Sequence, residues 1–120
     1  MQEYKLTIDG ELPGMNKIIQ TSKTHYQVYR KLKKENTELI IWNCKKLPKM
    51  KSVYLDITWY CKNKRRDPDN IAAAVKFIFD GLVEGGVLEN DGWGQNMGWS
   101  NTFKVDKDKP RTEIIIKEVK

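Results

Sequence analysis

The sequence is poor in the residues on which several common chemistries depend. Its 120 residues hold one histidine, His25, and two cysteines, Cys44 and Cys61. The cysteines lie far apart with no C-x-x-C spacing, so they read as small buried thiols rather than a disulfide or a zinc site. His25 stands in a lysine-rich stretch with no serine or cysteine partner, which leaves nucleophilic catalysis of the Ser–His or Cys–His kind unsupported. No apolar run approaches the ~20 residues that cross a bilayer, and the opening MQEYKLTIDG lacks a signal peptide's apolar core. The expectation is a cytoplasmic protein with no membrane partner. Repeats, linkers and low-complexity tracts are absent too, so residues 1–120 are expected to form a single domain.

Positive charge is present, and unevenly. Residues 1–66 carry 15 Lys/Arg against 6 Asp/Glu, while residues 67–120 carry 7 against 10. A cationic half beside an acidic half suits a polyanion-binding surface next to a cation-binding pocket, although a merely solvated lysine-rich surface has the same composition.

Apolar spacing sketches the elements. Glu3 to Asp9 alternates as a half-buried strand, and Met15 to Ser22 reads as a loop. Thr24 to Asn43 reads as an amphipathic helix that buries Tyr26, Tyr29, Leu32, Leu39 and Trp42 under a basic outer side. Ser52 to Lys62 is the clearest strand, with Val53, Leu55, Ile57, Trp59 and Cys61 on one face. A second helix runs from Asp69 or Asn70 to Gly85-Gly86, burying Ile71, Ala74, Val75, Ile78 and Leu82. Thr102 to Val105 and Thr112 to Val119 form a closing hairpin. The fold expected is α+β, two helices packed on a mixed or antiparallel sheet of about four strands.

The most informative stretch is Lys64 to Asp91, KRRDPDNIAAAVKFIFDGLVEGGVLEND. Asp67 and Asp69 flank Pro68, which biases Asp67 to an extended conformation and holds the pair on a stiff connector at a helix start. The helix N-terminus favours ionised carboxylates there. Phosphodiester hydrolysis needs charge compensation and an activated water; Mg²⁺ supplies both and prefers carboxylate oxygens. Asp67, Asp69 and Asp91 are therefore candidate metal ligands. Lys62, Lys64, Arg65 and Arg66 are candidate DNA-phosphate contacts. Lys76, two helical turns beyond Asp69, leans toward the same end. Each has an ordinary alternative: Asp-Pro-Asp-Asn is a turn with Asp69 as N-cap, Glu89 to Gly92 is a polar turn, and Lys76 pairs with Asp80 at i+4. An EF-hand is excluded, because Ala72 and Ile78 occupy its glycine and glutamate positions. Trp93 and Trp99 are expected in the core, with stacking on opened bases as the alternative.

RRDPDN, the Lys76 helix with its FDGL segment, and GGVLENDGW together resemble the RusA family of Holliday-junction resolvases, and ELPGMNK resembles that family's opening. The resemblance implies a small, often prophage-encoded, Mg²⁺-dependent homodimeric endonuclease (Mn²⁺ being an alternative ion) that acts on four-way DNA junctions in recombination and repair, without a small-molecule cofactor. It also implies that Asp67, Asp69 and Asp91 are catalytic metal-binding aspartates and Lys76 the active-site lysine, with Arg66 the basic residue before the motif. Asn90 departs from the family pattern, which often has an acid there; Glu89 is a substitute. The competing expectations are a non-catalytic basic nucleic-acid-binding module and a small phage structural or interaction protein. A helix over residues 70–84 would be ~22 Å long, so Asp91 returns to Asp69 only along a nearly straight segment of ~20 Å, or else comes from a second subunit.

Overall fold

The computed structural model describes residues 2–24 and 26–119; His25 lies outside them. β1 (Glu3–Asp9) buries Leu6 and Ile8, as its alternation requires. β2 (Ser52–Cys61) buries Val53, Leu55, Ile57, Trp59 and Cys61 on one face. β3 (Asn96–Val105) and β4 (Arg111–Val119) complete one four-stranded mixed sheet of order β1-β4-β2-β3. β4 runs antiparallel to both β1 and β2, and β3 runs parallel to β2. The α+β class and mixed sheet expected from the sequence are both present.

The expected closing hairpin is not. β2 lies between β3 and β4. Burial decides against sequence adjacency here: Thr112, Ile114 and Ile116 are fully buried, so β4 takes a central position and leaves the more polar β3 to an edge. β3 also starts at Asn96 rather than Thr102. Its early half was hidden by Gly98, which sits at φ 115° beside a shift of register between Val53 and Leu55, with Tyr54 packed where a Cβ would project. A glycine in a strand can mark such an irregularity rather than a loop.

The helices differ from expectation as well. Met15–Thr24, read as a loop, is a helix, α1. Its polar sequence masks the period, and the Thr21 hydroxyl donates back to the Lys17 and Ile18 carbonyls instead of opposing the helix. α2 (Tyr26–Asn43) buries Thr37 and Ile40, leaving Tyr26, Leu39 and Trp42 exposed, so its inward face is not the one expected. The expected single second helix is two: α3 (Pro68–Ala72) and α4 (Val75–Glu84), separated by a turn at Ala73-Ala74. That turn allows Ile71 and Ala74 as well as Phe77, Ile78 and Leu82 to enter one core with the sheet. Cys44 and Cys61 are buried free thiols, and burial pushes the Cys44 thiol up to about 11. Among the described residues no helix is long and apolar enough to cross a membrane.

The packing of α4 on α2 is glycine-dependent. A Cβ on Gly81 of α4 would overlap the Cβ and Cγ2 of Ile40 on α2. Gly81→Ala gains about 1 kcal/mol of helix propensity but overpacks the core by roughly 1–3 kcal/mol. The expected outcome is net destabilisation, larger for Gly81→Val, read as a lower urea midpoint at unchanged slope.

Candidate active site

β2 ends at Cys61, and the chain leaves the sheet through the cationic connector Lys62 to Arg66. A segment about fifty residues earlier pins it. The Lys62 N–H donates to the Glu11 carboxylate at 2.9 Å, and Arg66 Nη1 donates to the Leu12 carbonyl at 3.0 Å. Arg66 Nη2 also lies 3.6 Å from Glu11. Arg66 is thus half-buried and anchors the connector inward, while Lys62, Lys64 and Arg65 point to solvent. The Arg65 N–H donates to Asn63 Oδ1 at 3.0 Å, tightening the bend.

Asp67 occupies the N-cap position of α3 in the extended conformation that Pro68 imposes, φ −72° and ψ 150°. Its side chain makes no capping hydrogen bond, so the carboxylate is not engaged by the helix. Asp69, the N-cap in the alternative reading, lies in the first turn and accepts from the Asn70 N–H at 3.0 Å. With only five residues in α3, the dipole argument for these carboxylates loses most of its weight.

Sequence reasoning missed what fixes this turn. Asn70 Oδ1 accepts from the Asn16 N–H at 2.8 Å, fifty-four positions away. A Cβ on Gly14 would lie 2.7 Å from Asn70 Oδ1 and 2.8 Å from its carbonyl oxygen, so the approach needs glycine. The signal lay in Gly14 and Asn16 of the ELPGMNK segment, from Met15 onward read only as a loop.

Two clefts flank the connector. One, of about 730 Å³, is rimmed by Lys17, Lys62, Arg65 and Asn70. The other, of about 290 Å³, runs between Lys64, Asp67 and Pro68 and the end of β3 at Phe103 to Val105. Asp91 borders neither. It lines a third cleft, of about 450 Å³, with Trp93 and the first residues of β3. The Asn90 side chain bends back to accept from the Asp91 N–H at 2.9 Å, and Glu89 is exposed. The Leu88 N–H donates to the Leu82 carbonyl, so the chain turns back under α4 before Asp91. Lys76 is exposed in the first turn of α4; Asp80 pairs with Lys33 at 3.7 Å rather than with Lys76. Trp93 is 97% exposed, contrary to the core position expected. Trp99, also expected inside, is only partly covered, by an edge-on contact with Phe79 at 5.5 Å.

Asp67 and Asp91 therefore stand at opposite ends of β3. Among the described residues no three His, Cys, Asp or Glu side chains gather closely enough to hold a metal ion. The donor chemistry suits a hard cation, but one chain does not close a three-carboxylate site around it.

Comparison with known protein families matches residues 11–117 to Endodeoxyribonuclease RusA. The chain belongs to the RusA endodeoxyribonuclease family. The match spans the Asp67–Asp69 turn, the Asp91 loop and the Glu11–Asn16 segment that pins the connector. The RusA-family chain is accordingly an enzyme, a hydrolase that acts on DNA, as its resemblance implied. No curated protein matches the chain.

The carboxylates of this RusA-family chain whose acidity is perturbed lie away from the connector, Asp56 on β2, Glu113 on β4 and Asp106 in the turn between β3 and β4. The Lys117 ammonium, 2.7 Å away, and the Ser100 hydroxyl hold Asp56 below the usual carboxylate range. Arg111 does the same for Asp106 and Glu113. Their folded values are depressed, so this stabilisation is full above the unfolded carboxylate range of about 4 and is lost as pH falls through the folded values. The urea midpoint is expected to drop on acidification below about pH 4, and to drop less in Asp56→Asn.

Proposed function

We propose that this RusA-family enzyme cuts DNA at four-way (Holliday) junctions during recombination and repair, as a Mg²⁺-dependent homodimer in the cytoplasm, with Mn²⁺ as an alternative ion. The observation that carries the reading is the exposed Asp67-Pro68-Asp69 turn. Its Asp67 carboxylate is unused by the helix cap, and the turn stands between two clefts edged with Lys17, Lys62, Lys64 and Arg65. Asp67, Asp69 and Asp91 are the proposed carboxylate ligands. A divalent ion would supply charge compensation at the phosphate and lower the pKa of an attacking water. The three carboxylates do not meet within one chain.

The chain's own residues have separable tasks. Lys62, Lys64 and Arg65 neutralise backbone phosphates along the connector, a contribution that weakens with salt. Arg66 shares that basic rim but mainly fixes the connector's path through Leu12 and Glu11. Lys76 assists at the phosphate from the start of α4. Gly14 and Asn70 hold the acidic turn against α1.

The test uses a labelled synthetic four-way junction beside a linear duplex of the same sequence, with Mg²⁺ or EDTA. Metal-dependent cleavage confined to the junction is expected. Several kcal/mol of metal-derived stabilisation correspond to a loss of about 10²- to 10³-fold for Asp67→Asn or Asp69→Asn, with junction binding retained. Binding without any cleavage would instead make the chain a non-catalytic DNA-binding module. Gly14→Ala is expected to slow cleavage about tenfold, roughly 1.4 kcal/mol, while shifting the thermal midpoint by only a few degrees.

A further inference from the structure

Leu32, Leu39 and Trp42, which the apolar spacing assigns to the inside of α2, lie outside the core. Leu39 is 46% exposed, Trp42 69% and the nearby Val28 48%, and Leu32 is only half-buried. The side of α2 that packs inward carries Thr37 and Ile40 instead, with Ile40 against Gly81 of α4. At 3.6 residues per turn, Val28, Leu32, Glu35, Leu39 and Trp42 fall within ~80° of the helix circumference. Their alternating steps of four and three residues are the rhythm of a coiled-coil seam. Single exposed apolar side chains are ordinary, whereas an aligned row marks a contact surface.

The charges along the row say what would cover it. Glu35 stands in the middle of the seam, with the Lys31 ammonium 3.9 Å away. Lys31 and Glu38 flank the seam one heptad apart, and Lys45, a further heptad on, rests over the Trp42 ring at 3.6 Å. The flank reads basic, acidic, basic. A second copy of the chain does not complement this pattern. Parallel pairing in register sets Glu35 against Glu35, and antiparallel or shifted registers set it against an apolar residue. DNA matches no better, because Glu35 and Glu38 repel phosphates from the centre of the row. A foreign helix satisfies every position if it brings apolar residues to the seam, a base opposite Glu35 and an acid–base–acid flank.

We propose that the outer face of α2 is a docking site for an amphipathic helix of a partner protein, with a basic residue opposite Glu35 and acids opposite Lys31 and Lys45. From Val28 to Trp42 the contact is ~21 Å long, which places it in the small, transient class. Leu32 also lines the cleft edged by Lys17, Lys62 and Arg65, so the docked helix lies beside the connector and not on it. The site does not depend on the role of the aspartates.

Two synthetic helical peptides of about three heptads serve as probes, both with leucine at the apolar seam positions. The matched peptide has lysine at the central seam position and a Glu-Lys-Glu flank; the swapped peptide has every one of these charges reversed. Each pattern is the same in both directions, so neither peptide imposes an orientation. Added to the isotope-labelled full chain, the matched peptide should shift amide resonances between Val28 and Lys45 with a Kd of about 10 µM. The swapped peptide should bind about tenfold more weakly or worse. Replacing Lys31 and Lys45 with Glu together with Glu35→Lys should reverse that preference. Leu39→Glu should weaken the matched peptide at least about tenfold at an unchanged urea midpoint, because Leu39 is outside the core. Equal affinity for the two peptides, shifts confined to another face, or a Leu39→Glu chain that binds like wild type overturns the proposal. Shifts along α2 on raising the protein concentration alone would give the face to a second copy, and the same shifts with a four-way junction would give it to DNA. Either result overturns the proposal as well.

Discussion

The parallel pairing of β2 with β3 governs the rest of the molecule. Parallel neighbours need a crossover that carries the chain back over the whole strand length. Here that crossover is α3, α4 and the Asp91 loop, packed on the sheet through Ile71, Phe77, Ile78 and Leu82. The exit of β2 and the entrance of β3 therefore lie at opposite ends of the sheet. Asp67 follows the exit and Asp91 precedes the entrance, so the topology that builds the core also separates the acidic residues. A straight helix followed by an extended return would have brought them together, but the break at Ala73-Ala74 and the turn under α4 replace that path.

Much of this fold was legible where one face of an element is clearly apolar. β1, β2, β4 and the diglycine stop after α4 all follow from alternation or from turn chemistry. What escaped did so for identifiable reasons. α1 is polar and is held by docking, with Ile18 packed against the core and the Asn16 N–H bonded to Asn70. The start of β3 hid behind Gly98, which reads as a turn until Tyr54 is seen against it. The inward face of α2 could not be chosen without knowing that Gly81 admits Ile40. Strand order was lost because sequence neighbours suggest a hairpin, whereas burial of Ile114 and Ile116 demands a central strand.

The candidate residues could be named from the sequence, but what holds them in place could not. Paired aspartates around a proline, after a run of bases, mark the connector without any coordinates. Nothing in the sequence connects that connector to Glu11, Leu12, Gly14 and Asn16, since such contacts depend on where α1 docks. The shortest ion pairs are equally hidden: Asp56 of β2 with Lys117 of β4 on the far face of the sheet, and Arg111 with Glu113 and with Asp106 of the preceding turn. Ion pairs on that face stabilise the scaffold, whereas Lys62, Lys64 and Arg65 of the connector are exposed.

The latch between the Glu11–Asn16 segment and the connector is small: one backbone contact at Asn16, a few at Glu11 and Leu12, and a glycine-sized gap at Gly14. Leu12 of that segment is itself buried in the core, whereas the first turn of α1 is exposed and rests on these polar contacts, which open at lower free energy than the core. A polyanion seated in the cleft they border would engage the latched form, and its occupancy would then favour the protected state of the Glu11–Asn16 segment. Limited proteolysis near Pro13 would then report cleft occupancy, and the first turn of α1 becomes a natural place for a fluorescent reporter of DNA engagement.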